Sequence, residues 1–340
     1  MQVSDFYYQL PEELIAQEPI PQRDAARMLV ISRERGRYFD DCFINFHRYL
    51  RPGDCLVLNN TKVFPARLRG RRNGTEGARV EVFLLRALDA DETIWRVLVR
   101  PAKRLKAGDR VVFEQGLEAE IVSQGNLGER TIQFFAKESI SAVLSKIGET
   151  PLPPYIRRNP TKVDDARYQT VFAEKKGSVA APTAGLHFTP TMLEDCRAAG
   201  ADIATVTLHV GLGTFSPIRE EKVSDVRLHE EYFEIEADEG AIMRRANRLL
   251  CVGTTSVRTI ETACLRGGLT AMQGETNLFI YPGFHFRGTG AMLTNFHLPQ
   301  SSLLMLVAAF AGTELILNAY RYAVENRYRF FSYGDCMFIE

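Results

Sequence analysis

Short apolar runs alternate along this chain with turns carrying glycine, threonine and histidine, most densely between Val179 and Arg258. Val179-Ala180-Ala181 leads into Pro182-Thr183-Ala184-Gly185-Leu186-His187, the run 203–208 into His209-Val210-Gly211-Leu212-Gly213-Thr214, and the run 249–252 into Gly253-Thr254-Thr255-Ser256. Apolar runs of this length bounded by glycine read as strands. In an open α/β sheet the loops at such strand ends face one crevice, where ligands bind. The pattern therefore predicts that these turns build a single site.

Elsewhere the pattern changes twice. Pro11, followed by Glu12 and Glu13, predicts a short helix, and 28–31 and 55–58 predict strands. Beyond Val63, runs at 80–84, 94–99, 110–113, 117–122 and 131–135 are separated by turns such as Asn73-Gly74, Gly108-Asp109 and Gly125-Asn126. Five or six short strands at this spacing suggest a small β-barrel. A helix is expected at 139–147; Pro151-Leu152-Pro153-Pro154 cannot continue it and reads as a linker. Thr189 and Pro190 open a helix that Gly200 stops, Gly267 stops another at 255–266, and two more are expected at 237–247 and 301–327. Strands alternating with helices argue an α/β class. The predicted architecture is a discontinuous α/β main domain, residues 1–62 and 151–340, interrupted by a small β-barrel domain at residues 63–150.

With 340 residues, 45% hydrophobic and 25% charged, the chain is long enough for a full core and more than one domain. Its formal net charge of +0 gives no reason to expect a nucleic acid, so a polyanion site would have to come from local asymmetry. Such asymmetry exists. From Lys62 to Arg110 there are thirteen Lys/Arg against six Asp/Glu, with Arg67, Arg69, Arg71 and Arg72 bunched in one place and Lys103, Arg104 and Lys106 in another. That is the footprint of a phosphate-backbone contact surface, or of a merely solvated basic face. The cysteines, Cys42, Cys55, Cys196, Cys251, Cys264 and Cys336, show no Cys-x-x-Cys spacing and no close Cys/His pair, so reduced, mostly buried thiols and no metal site are expected. Residues 1–11 lack the basic start and apolar stretch of a signal peptide. The longest apolar run, 303–311, falls far short of the roughly 20 residues a membrane helix needs. A soluble, cytoplasmic protein with no membrane partner is expected.

The candidate motifs differ in specificity. The Gly211/Gly213 turn would let backbone N–H groups approach a ligand, but it lacks the third glycine of a dinucleotide fingerprint, and a plain tight turn fits as well. Gly253-Thr254-Thr255-Ser256-Val257-Arg258 passes from strand to helix, where free N–H groups and hydroxyls suit an anion such as a carboxylate; a Thr/Ser N-cap is the competing reading. His187, His209, His229 and His297 sit in or after apolar segments, and proton transfer by at least one is expected. His229 and Glu231 would share one face of a strand. Arg23-Asp24 with Arg27 suits an ion pair or a substrate clamp.

Taken in order, Leu14-Ile15-Ala16-Gln17, Arg23-Asp24, Asn59-Asn60-Thr61-Lys62-Val63, 181–188, 208–215, 229–232, 252–258, Thr294-Asn295-Phe296-His297-Leu298-Pro299 and Tyr333-Gly334-Asp335 resemble, from end to end, the S-adenosylmethionine:tRNA ribosyltransferase-isomerase family of queuosine biosynthesis. Glu230, where the family often has a small polar residue, and Cys336, where alanine is usual, depart from it. The resemblance implies an α/β domain interrupted by a β-barrel. It also implies transfer of the ribosyl part of S-adenosylmethionine to the 7-aminomethyl-7-deazaguanine at the wobble position of a tRNA with a GUN anticodon. Rearrangement to an epoxycyclopentanediol gives epoxyqueuosine-tRNA, with adenine and methionine released. S-adenosylmethionine is then a consumed co-substrate, no metal takes part, and a monomer is expected.

The sulfonium acidifies the neighbouring C5′ hydrogens, so a positioned base, worth about 10²- to 10⁴-fold, starts the reaction. His187, His209 and His229 are the candidates for it. Departing adenine needs protonation, for which Asp335 or Glu231 would serve if burial raises its pKa. The Gly211/Gly213 turn and Thr254-Thr255-Ser256 would hold the nucleoside and the methionine carboxylate, with Arg258 or Arg23 as counter-charge. Arg23, Asp24, Asn60, Thr183, Gly185 and Asn295 complete the expected substrate-binding set, and the two basic clusters the tRNA-binding set. Two competitors are an S-adenosylmethionine-dependent tRNA methyltransferase, which would leave S-adenosylhomocysteine, and a non-catalytic RNA-binding protein using the basic barrel.

Overall fold

The computed structural model describes residues 1–74, 76–125, 128–211 and 218–340. Among them the strands are β1 Arg27–Ser32, β2 Arg37–Cys42, β3 Asp54–Asn59, β4 Thr61–Val63, β5 Arg67–Arg72, β6 Arg79–Ala87, β7 Ile94–Arg100, β8 Arg110–Val112, β9 Glu118–Gln124, β10 Glu129–Phe135, β11 Lys175–Ser178, β12 Asp202–Leu208, β13 Glu231–Ile235, β14 Arg248–Val252, β15 Met272–Thr276, β16 Thr289–Asn295 and β17 Cys336–Ile339. The α-helices are α1 Ile140–Ile147, α2 Lys162–Arg167, α3 Pro190–Ala198, α4 Ala237–Arg245, α5 Thr254–Leu265, α6 Ser302–Ala311 and α7 Thr313–Glu325.

Nine strands form one mixed sheet in the order β15-β13-β12-β3-β14-β16-β17-β1-β2. Its middle, β12-β3-β14-β16, is parallel. These strands are apolar runs because both faces are covered. Cys55, Val57, Val206, Leu249 and Cys251 join α5, α6 and α7 in one core, while Leu56, Leu58, Leu250, Val252 and Leu293 join Phe43, Phe46, Phe188 and α3 in another. The period of two along β3 and β14 thus feeds two separate cores. The expected β-barrel is a closed ring of six strands, β10-β7-β6-β5-β8-β9, around Leu68, Val82, Val97, Val111, Ile121 and Ile132. The expected turn residue Asn126 lies outside the described residues.

Four local expectations change. The helix at Pro11 is a single 3₁₀ turn, Glu12–Leu14. The run 301–327 is two helices bent by 117°. Gly312 lies between them at φ 92, a conformation L side chains rarely adopt; its N–H closes α6 on Ala308 and its carbonyl opens α7 at Ile316. The proline segment after α1 is no free linker: Leu152 is buried with Val63, Ile156, Tyr168 and Tyr333. His229 precedes β13 and is exposed, so it shares no strand face with Glu231. Among the described residues no single helix is long and apolar enough to cross a membrane.

Candidate active site at the strand ends

Because β12, β3, β14 and β16 run parallel, their C-terminal residues Leu208, Asn59, Val252 and Asn295 reach the same edge of the sheet. β17 runs antiparallel to β16 and β13 antiparallel to β12, so their first residues, Cys336 and Glu231, lie at that edge too. Residues separated by hundreds of positions in the chain are thereby brought together.

Asn59 is the tie at the centre. Its Oδ1 accepts the N–H groups of Thr61 and Leu208, each at 3.1 Å, and its Nδ2 donates to the Leu208 carbonyl at 3.0 Å and to Thr255 Oγ1 at 3.1 Å. One amide joins β3, β12 and α5. Asn60 turns away: its Oδ1 accepts from Thr207 Oγ1 at 2.7 Å and its Nδ2 donates to Glu174 at 3.3 Å. The signal for Asn59 was present in the sequence as two consecutive amides at a strand end, but which one would tie β12 to α5 was not.

Two adjoining cavities open here. The larger, about 1090 Å³, lies between barrel and sheet and is lined by charged residues including Lys62, Arg86, Arg96, Asp165, Lys176 and Glu275, together with His209, Gly211, His229 and Glu231. The smaller, about 330 Å³, is lined by Thr183, Gly253, Thr254, Thr255, Asn295 and His297 among others. Val210 belongs to both walls. Both volumes suit bound molecules, the smaller one a single small ligand.

The histidines separate by environment. His209 is half-buried in the larger cavity, its Nδ1 2.8 Å from Thr61 Oγ1 and its ring stacked on Tyr232 with centroids 5.5 Å apart. Gly177 lets it in, since a Cβ there would sit 2.5 Å from His209 Nε2. Burial lowers its pKa from 6.5 to about 4, so the imidazole is neutral near pH 7. His187 lines neither cavity; it is buried against Phe43, 3.3 Å from Asn295 Nδ2, with its pKa likewise lowered by burial to about 4. His229 faces the larger cavity from an exposed segment. His297, buried in the smaller cavity, holds Thr294 Oγ1 at 2.9 Å and is lowered by burial to about 3.

The acids and arginines have partners. Glu231 Oε1 accepts the Gly211 N–H at 2.9 Å and Oε2 accepts from Arg258, both side chains being buried. Arg258 also donates to the Leu278 carbonyl at 3.1 Å. Burial raises the pKa of Asp335, whose oxygens accept the N–H groups of Arg27 at 2.9 Å and Arg329 at 2.8 Å and so join the starts of β1 and β17. Arg23 donates to the carbonyls of Gln169, Leu186 and Ala166, a backbone clamp; neighbouring Asp24 is partly buried, its Oδ1 without a hydrogen-bond partner among the described residues. Ser256 Oγ donates back to the Val252 carbonyl at 2.8 Å, tying the first turn of α5 to the end of β14, while Gly185 packs under Phe172 and Thr170. Gly213 lies outside the described residues.

The basic clusters also divide. Arg67 faces Glu81, Arg69 forms a forked pair with Glu149, Arg72 pairs with Asp109, and Arg71 is exposed but donates to the Gly77 carbonyl. Lys103, Arg104 and Lys106 are exposed, and among the described residues none has an ion-pair partner. Their loop is held from beneath by buried Arg130, which donates to the carbonyls of Ala102 at 2.7 Å and Leu105 at 3.1 Å. Among the described residues no group of three or more His, Cys, Asp or Glu side chains is arranged to hold a metal ion.

An α/β sheet with two cavities at its parallel strand ends, interrupted by a closed barrel, is the architecture of an enzyme of queuosine biosynthesis: residues 3–339 match the family model described as queuosine biosynthesis protein. The chain belongs to that family. It is 56% identical, over the full length of both, to the S-adenosylmethionine:tRNA ribosyltransferase-isomerase of Solibacter usitatus (strain Ellin6076), and 48% identical, again full length, to that of Thermoanaerobacter sp. (strain X514). The crystal structure of S-adenosylmethionine tRNA ribosyltransferase from Thermotoga maritima is similar with 39% identity and a TM-score of 0.57, covering 99% of this chain and all of that one.

Proposed function

We propose that this protein is an S-adenosylmethionine:tRNA ribosyltransferase-isomerase that acts on the 7-aminomethyl-7-deazaguanine at the wobble position of GUN-anticodon tRNA. Its α/β part, residues 1–62 and 151–340, is the catalytic domain, and residues 63–150 are an inserted barrel domain. The observation that carries the geometry is the shared wall at Val210, with a small uncharged cavity on one side and a large charged cleft on the other. S-adenosylmethionine sits across that wall, partly in the smaller space, and the modified base enters from the cleft. Lys103, Arg104 and Lys106 at the barrel tip meet tRNA phosphates.

His209 is the C5′ base in this reading. It lines the cleft, it is neutral, and Thr61 holds its orientation, so it can accept a proton once the sulfonium has acidified the carbon. His187 is a packing residue that supports Asn295. Glu231 and Asp335 shape the site through backbone N–H groups. The protein acts as a cytoplasmic monomer and S-adenosylmethionine is consumed. Incubation with S-adenosylmethionine and tRNA carrying the aminomethyl base should release adenine and methionine in equal amounts while the tRNA gains mass. S-adenosylhomocysteine as product would replace this reading with a methyltransferase, and tRNA binding without any turnover would leave an RNA-binding protein.

A further inference from the structure

The smaller cavity is uncharged throughout: among the described residues that line it there is no Asp, Glu, Lys or Arg. One side is flat. The rings of Tyr155 and Phe331 stack with centroids 4.6 Å apart at 24°, and Tyr155 is held by a 2.6 Å hydrogen bond to Ser332. Phe331 stands at φ 70, an uncommon conformation for a bulky side chain. Its carbonyl, accepting Asn295 Nδ2 at 3.1 Å and the Gly334 N–H at 2.8 Å, keeps it there. Backbone strain retained at a cavity wall is a mark of a functional surface.

His297 is the polar feature of this space. Only 8% of it is exposed, its Nε2 is engaged by Thr294, and its Nδ1 has no partner among the described residues. On the same cavity α5 begins at Thr254 with no side-chain cap among the described residues, which leaves N–H groups of its first turn open.

We propose that this cavity takes the purine base of S-adenosylmethionine, its face against the Tyr155–Phe331 wall and its edge hydrogen-bonded by His297. The assignment rests on the reading of the chain as an S-adenosylmethionine-consuming enzyme. A neutral heterocycle enters an uncharged cavity at little cost, whereas a sulfonium and an amino-acid end would leave charges unpaired there. That charged end projects past Val210 into the cleft. A purine edge presents ring nitrogens that accept and an amine that donates, which the open N–H groups of α5 and the histidine nitrogen complement.

The test is titration calorimetry on the full chain with S-adenosylmethionine, adenine and methionine as separate probes. Adenine should bind the wild type and compete with S-adenosylmethionine. His297→Leu should weaken both about tenfold or more, the size expected for one lost hydrogen bond to a buried edge. Leu298→Trp, at a rim position 36% exposed, should block adenine by filling the mouth, and it keeps the test decisive should His297→Leu not fold. Unchanged adenine affinity in both variants overturns the assignment, as does displacement of S-adenosylmethionine by methionine but not by adenine, which would place the carboxylate on α5. In either case S-adenosylmethionine still binds and the functional reading stands. Failure of S-adenosylmethionine to bind the wild type would remove that reading itself.

Discussion

Glu231 and Arg258 are paired inside the protein, the carboxylate on the first residue of β13 against the guanidinium on the second turn of α5. The same carboxylate accepts the Gly211 N–H, and the same guanidinium donates to the Leu278 carbonyl, so the pair ties the cleft wall beside Val210 to the helix that opens onto the smaller cavity. Glu231→Gln should keep an acceptor for Gly211 but leave Arg258 buried without a counter-charge. A loss of about 3–5 kcal/mol in urea unfolding is expected, and a loss below about 1 kcal/mol would mean that the pair is solvated.

His209→Asn should lower kcat by about 10²- to 10⁴-fold while S-adenosylmethionine affinity stays within a few-fold, because the base acts in the transition state. His187→Gln should act on unfolding more than on kcat. Single-turnover kinetics beside calorimetry separates the two, and wild-type kcat in His209→Asn would exclude this histidine as the base.

Acid should destabilise the fold at a pH where histidines are usually harmless. His187, His209 and His297 have folded pKa values lowered by burial from 6.5 to about 4, 4 and 3. Below pH 6.5 the unfolded chain binds protons that the folded one does not, so stability is complete above that value and falls as the pH drops toward 4. Urea midpoints measured from pH 7.5 to 4.5 test this, and His187→Gln should flatten the decline.

Reversal of Lys103, Arg104 and Lys106 to Glu should weaken tRNA binding and shallow its salt dependence, each lost phosphate contact removing roughly 0.7 to 0.9 from the log–log slope. S-adenosylmethionine binding should not change. The same reversal at Arg69 and Arg72, which are ion-paired to Glu149 and Asp109, should move barrel stability as well. An unchanged salt slope in the first variant would assign the barrel tip to plain solvated surface.

Gly312→Ala places a Cβ at φ 92 between α6 and α7 and should cost about 1–3 kcal/mol, although open space surrounds the site. Equal stability of variant and wild type would mean that the bend tolerates an ordinary backbone.

Local pattern determined much of this protein by itself. Period-two apolar runs and glycine turns are short-range consequences of strand geometry, so the barrel, the α/β class and the strand-to-helix turn at Gly253 were all legible. The ordered motifs carried the family in the same way. The helix break at Gly312 escaped, because a helical pattern resumes directly after Gly312-Thr313-Glu314 and the bend is set by the backbone angle at the glycine. The roles of individual side chains escaped for a different reason. Arg23, Glu231, Arg258 and Asp335 all read as available charges, yet each has a partner 20 or more positions away, on a neighbouring strand or across the molecule. Whether a charge serves a ligand or the fold depends on which groups the sheet order sets beside it. That order, with β3 between β12 and β14 and β17 beside β1, is a property of tertiary packing and is written in no single segment.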